Sequence, residues 1–188
     1  MKELLGLIAV FLAIIGYSSY FLSIFRNRIR PHLFSWIIWS ITTALVFLGQ
    51  FQKGGGAGSW TTATTGLITI LIAVIALKNG TKNITKLDAV FFTGALLAIV
   101  PWLLTKDPTA SIVILTLIDV CGFIPTIRKT LRDSNSETLT LYTINIFRHG
   151  LAMVALANYN VATYLYPMTM LIANGIMVYI IKKPKFNK

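Results

Sequence analysis

Asp119 and Arg148 each stand about ten residues inside a long apolar run, at 110–127 and 139–157. At ~1.5 Å of rise per helical residue that depth is ~15 Å, the middle of a ~30 Å hydrocarbon layer. A charge at that depth costs ~2.5–3.5 kcal/mol on insertion scales, so neither side chain is expected to face lipid alone. Three kinds of chemistry suit them. Arg148 is able to grip a carboxylate or phosphate with its planar fork. Asp119 is able to exchange a proton. Both together are able to bond a neutral polar solute. If the two runs form an antiparallel hairpin, Asp119 and Arg148 meet at mid-depth, and a static ion pair fixing the hairpin is the alternative to a solute or proton site. Asn145 lies one turn before Arg148 on the same face, and His149 points about 100° away from it. The single cysteine, Cys121, has no partner for a disulfide, which excludes thiol oxidoreductase chemistry based on cysteine pairs.

The elements that must carry these residues are seven apolar stretches, at 4–25, 33–51, 57–77, 89–104, 110–127, 139–157 and 162–181. The 188-residue chain is 55% hydrophobic and 12% charged, half the ~25% charge of an ordinary soluble domain. The stretches do not alternate as barrel strands would, so an all-α integral membrane protein of seven transmembrane helices is expected. The first stretch is too long for a signal-peptide core and is read as a retained helix. The net charge of +11 does not point to nucleic acid, because of where it falls. Arg26, Arg28, Arg30, Lys78, Lys82, Lys86, Arg128, Lys129, Arg132 and the lysines of the tail lie on one set of alternate sides, 13 residues in all. The other side holds Lys2, Lys53 and Lys106. The positive-inside rule then sets the N-terminus outside and the C-terminus in the cytoplasm, and the expected location is the cell membrane, plasma or inner. The sequons at Asn79 and Asn83 fall on the cytoplasmic side, where no glycan is expected.

An internal repeat organises the stretches. Tyr20 laid on Pro125 superposes the end of stretch one, its basic connector and stretch two on the end of stretch five, its connector and stretch six. Thr65-Gly66 laid on Asn174-Gly175 aligns stretches three and seven. Two triplets around one odd helix give a 3+1+3 arrangement of two parallel triple-helix repeats, a transporter plan with its site between the halves. The expected units are residues 1–80, the first repeat; 81–108, a linker helix; 109–182, the second repeat; and 183–188, a basic cytoplasmic tail. This topology resembles the SWEET and PQ-loop transporter superfamily. Pro125-Thr126 resembles that family's Pro-Gln opening, Ser136-Glu137-Thr138 its later Lys-Ser loop, and Asn174-Gly175 the Asn-Gly of its last helix. Thr126 stands where the family has Gln, Tyr20 where the first repeat would have Pro, and Thr65 where it would have Asn. The resemblance implies a solute-binding role for Asn174 and Thr65 and gating roles for Pro125 and Tyr20.

Five stretches carry polar or small residues on one helical face: Gly16, Ser19, Tyr20, Ser23; Trp36, Trp39, Ser40, Thr43; Gly58, Thr61, Thr62, Thr65, Thr69; Thr116, Asp119, Gly122, Thr126; and Asn145, Arg148, His149. Such stripes serve ordinary helix packing, but their absence from stretch four singles out a shared polar cavity among the others. Trp36 reads as an interfacial anchor and Trp39, a turn deeper, as a lining residue. The expected function is transport of a small polar solute by alternating access. The expected solute-binding residues are Asp119, Arg148, Asn145, Asn174, Trp39, Thr65, Ser40 and Thr43. Partners are the solute and the lipid bilayer, not nucleic acid, with association into homo-oligomers left open. No HExxH zinc motif, cysteine pair or close carboxylate pair occurs within a stretch, so no enzyme activity, metal or cofactor is expected. The rival readings are a seven-helix ligand-binding receptor or sensor without transport and an intramembrane enzyme. The receptor's retinal-binding form is disfavoured because Lys182 and Lys183 lie at the end of the last stretch.

Overall fold

The computed structural model describes residues 1–81, 85–134 and 137–182, without the side chains of Asp88, Pro125, Arg128, Lys129 and Arg132. The basic tail at 183–188, Ser136 of the connector motif and the sequon residue Asn83 lie outside the described residues, as does the side chain of the gating candidate Pro125. Helices α1 (Lys2–Phe25), α2 (Leu33–Gln52) and α3 (Trp60–Asn79) are followed by α4 (Lys86–Leu97), α5 (Ile99–Thr105), α6 (Thr109–Arg132), α7 (Leu139–Val154) and α8 (Val161–Lys182). A short 3-10 turn, Gly56–Ser59, leads into α3.

Among the described residues the architecture is all-helical, and four helical segments are long and apolar enough to cross a membrane: Lys2–Phe25, Leu33–Gln52, Gly56–Asn79 and Val161–Lys182. Among the described residues, Ala89–Thr105, which takes in α4 and α5, and Thr109–Ile124 of α6 are shorter apolar segments. The outer surface is studded with large apolar side chains, such as Phe11, Leu22, Phe51, Leu67, Leu104 and Phe147. Polar side chains, including Gln50, Thr62, Asp119, Arg148 and Asn174, are buried.

The stretch expected at 89–104 is two helices with a break at Ala98. Pro101 has no N–H for the carbonyl four residues back, and its ring crowds that carbonyl, so the helix is interrupted just before it. α6 extends beyond the apolar run at 110–127 to Arg132, and α7 stops at Val154, short of the expected 157.

Six helices form a closed ring. α3 lies between α1 and α2, α8 lies between α6 and α7, α1 packs along α7, and α2 packs along α6. Exchanging α1–α3 for α6–α8 maps each of these contacts onto another of them. α4 and α5 pack outside, through Ala95, Phe91 and Phe92 on Ile38 and Ile118.

The end of the ring near Lys2 is sealed. Lys2 Nζ donates to the Leu156 carbonyl (2.6 Å), and the Ala157 amide donates to Gly55 (3.1 Å). The glycine turn that makes this possible holds Gly54 and Gly56 at φ of 71° and 59°, a left-handed conformation that side chains disfavour. Lys53 pairs with Asp107 at 2.7 Å. That ammonium, with the Thr109 amide at the start of α6, holds the exposed Asp107 carboxyl well below the usual carboxylate range.

Pro167 lies inside α8 and has no N–H for the Thr163 carbonyl. The buried Gln50 side chain on α2 supplies the missing donor, Nε2 to Thr163 O at 3.0 Å. Gln50→Leu keeps the volume and strands that carbonyl. It is expected to cost ~1–3 kcal/mol, read as a lowered unfolding midpoint of the purified protein against wild type.

Candidate functional site

Each of the six ring helices turns residues toward one cavity of about 250 Å³. The spacing follows helical periodicity. Tyr17 and Tyr20 come from α1, Trp36, Trp39 and Thr43 from α2, and Thr65 and Thr69 from α3. α6 gives Asp119, Phe123 and Thr126, α7 gives Asn145, Arg148 and His149, and α8 gives Tyr166, Met170 and Asn174. Among the described residues α4 and α5 give none. The cavity extends from the level of Arg148 to the exposed Arg30, with His32, Thr81 and Glu137 beside it. It therefore opens at the end opposite the Lys2 seal.

Arg148 is 3% exposed and held on three sides by neutral acceptors. Nε donates to Asn145 Oδ1 (2.7 Å), and Nη1 donates to Thr65 (2.9 Å) and Thr61 (3.3 Å). Its guanidinium lies 5.7 Å from the Tyr17 ring centre, a cation–π contact. Asn145 Nδ2 donates to Asn174 Oδ1 (2.9 Å), and Asn174 is tied by its own Nδ2 to Met170 O (2.7 Å). The chain Asn174–Asn145–Arg148–Thr65 thus ties α8 and α7 to α3.

Asp119 is 2% exposed and accepts from the Thr42 hydroxyl, with Tyr166 as a second facing group. It forms no ion pair with Arg148. The direct pair expected from a hairpin is therefore corrected: α8 stands between α6 and α7, so hairpin neighbours in sequence are not neighbours in space. The two charges share a cavity without touching.

Of the other expected residues, Asn145, Asn174, Trp39, Thr65, Thr43 and Tyr20 do line the cavity. Ser40 does not. Its hydroxyl bonds back to the Trp36 carbonyl (2.7 Å), the usual fate of a serine inside a helix. Ser19 and Ser23 likewise bond to their own helix. Trp36 is no interfacial anchor. It is buried, edge-on to Trp39 (5.1 Å between ring centres) and against Tyr20 (5.2 Å). Trp39 approaches α6 closely because Gly122 is there: a Cβ would lie 2.7 Å from the indole nitrogen.

Tyr17, Thr42 and Tyr166 were not singled out by sequence, whereas Thr61 was, in the polar stripe of stretch three. Tyr166 and Met170 stand eight and four residues before Asn174, a helical spacing that would have found both. His149 is buried, lines the cavity, and its Nδ1 has no hydrogen-bond partner among the described residues. No cluster of metal-ligating side chains occurs among the described residues. No family model, curated protein or solved structure matches the chain.

Proposed function

We propose that the chain is an integral membrane transporter of small polar solutes, with seven crossings in a 3+1+3 arrangement and its site between two triple-helix repeats. The observation that carries this reading is the charged, two-ended asymmetry of the cavity: it reaches the depth of Arg148 from one end and is sealed at the other. A static ion pair would leave no such space. The inverted surface supports a lipid environment, because apolar faces of this extent are rare on soluble monomers. The self-mapping contacts of α1–α3 and α6–α8 support two repeats, and the exterior position of α4 and α5 supports a linker. With N-terminus outside, the open end of the cavity is cytoplasmic, so the conformation described is inward-facing. Rocking one triplet against the other would break the Lys2 and Gly55 contacts and open the opposite end. The reading is in keeping with the resemblance of the sequence motifs to the SWEET and PQ-loop superfamily.

The test is counterflow. Proteoliposomes of the full chain, preloaded separately with glucose, lactate, nicotinate or leucine, are given trace radiolabelled solute of the same kind. Transient accumulation above protein-free liposomes is expected for at least one. Saturable binding without accumulation in any case would instead support the receptor reading.

A further inference from the structure

Opposite charges enclosed in one cavity ordinarily pair. Here each is held by neutral groups, and among the described residues neither meets its opposite. Arg148 is fixed through Nε to Asn145 and through Nη1 to Thr61 and Thr65, with Tyr17 as a further neutral partner. A guanidinium held only by neutral groups keeps its charge unanswered, which suits a carboxylate. Asp119 has hydroxyl partners and no cation. The unpartnered His149 Nδ1 is a third polar atom of the cavity awaiting a ligand. At the mouth Arg30 and Glu137 add one charge of each sign, which leaves the inner pair to decide selectivity.

Candidate solutes differ in what they would leave uncompensated. A polyol offers hydroxyls and answers neither charge. A simple anion answers Arg148 and leaves Asp119. A simple amine does the reverse. A solute with one carboxylate and one ammonium answers both. Trp39, Phe123 and Tyr17 form an aromatic wall for an apolar substituent. The volume of about 250 Å³ lies below the ~300–1,000 Å³ of drug-sized pockets, so the solute is small.

We infer that the cavity takes a small zwitterion, an α-amino acid with an apolar side chain, carboxylate on Arg148 and ammonium toward Asp119. This rests on reading the cavity as the solute site of a transporter.

The test is calorimetric binding to the full chain in nanodiscs. The probes are L-leucine, 4-methylpentanoate (leucine without its ammonium), 3-methylbutylamine (leucine without its carboxylate) and glucose. Leucine is expected to bind about 10- to 100-fold more tightly than either truncated probe, the usual cost of losing one charged hydrogen-bonded group. Arg148→Gln is expected to weaken leucine by a similar factor and leave 3-methylbutylamine unchanged. Asp119→Asn is expected to weaken leucine and leave 4-methylpentanoate unchanged. Should either variant fail to fold, the probe series on wild type decides alone. Equal binding of 4-methylpentanoate and leucine, or binding of glucose with none of the other three, overturns the inference. Leucine binding without leucine counterflow overturns transport and leaves the zwitterion site standing. Glucose counterflow without leucine binding does the opposite.

Discussion

Arg148→Met is expected to abolish solute movement while sparing most of the fold. Methionine keeps an unbranched stem of similar length and removes the charge. Flux of the solute carried by wild type is expected to fall at least ~30-fold, because a buried hydrogen-bonded charge lost from a site costs ~2–5 kcal/mol. Stability is pulled two ways. Removing a mid-depth cation relieves ~2.5–3.5 kcal/mol of insertion cost. It also leaves Asn145 Oδ1 without its 2.7 Å donor, a loss of ~1–3 kcal/mol. Thr61 and Thr65 lose little, since their hydroxyls already donate to the Ala9 and Thr61 carbonyls.

The remaining charge decides the sign. With Arg148 gone, Asp119 is the inner cavity's only fixed charge among the described residues, so the single variant is expected to be less stable than the pair Asp119→Asn with Arg148→Met. The double-variant cycle on unfolding midpoints measures that coupling, and counterflow is run on the same preparations. Recovery of stability in the double variant with flux still absent is the expected result. If flux survives in folded Arg148→Met, the site is misassigned. If stability collapses and the double variant does not recover it, Arg148 is a structural residue.

The burial of the two charges was legible in the sequence, because a charge inside an apolar run is not expected to face lipid alone. Their azimuth was not. Asp119 and Arg148 are on consecutive apolar runs, and a two-helix picture brings them face to face. The insertion of α8 between α6 and α7 depends on packing across the whole ring, which no local pattern encodes. Polar stripes located the cavity face of α2, α3, α6 and α7 to within one residue's rotation. They failed where hydroxyls satisfied themselves: Ser19, Ser23 and Ser40 spend their donors on their own helices. Tyrosines were overlooked for the opposite reason. Tyr17 and Tyr166 carry mostly apolar surface, so a search for polar residues passes over them, although both reach the cavity. Pro167 shows the same limit. Its tolerance inside α8 depends on Gln50, a residue more than a hundred positions away.

The seal near Lys2 gives the second large effect. Gly58 sits in the 3-10 turn before α3, where a Cβ would come within 2.5 Å of the Ala152 carbonyl oxygen and 2.6 Å of Leu156 Cδ2. On the facing side of the same seal, a Cβ on Gly6 would come within 2.7 Å of the Ala57 carbonyl oxygen. Backbone on one side of each contact leaves no flexible side chain to move aside, so Gly58→Val must separate α3 from α7. In a bundle with a single packing this is overpacking, worth ~1–3 kcal/mol of lost stability and nothing else. In a transporter the contact exists only in the inward-facing state, and the same strain shifts the population toward the state open at the Lys2 end. A cysteine at position 65, made as Thr65→Cys with Cys121→Ser, reports the difference, because Thr65 lies in the cavity beside Arg148. A membrane-impermeant thiol reagent added outside right-side-out cells is expected to label it slowly. Gly58→Val is expected to raise that rate at least ~10-fold, which needs a bias of ~1.4 kcal/mol, within reach of the strain. An unchanged rate with a lowered unfolding midpoint would mean that the seal is fixed packing, and that the cavity has one mouth only.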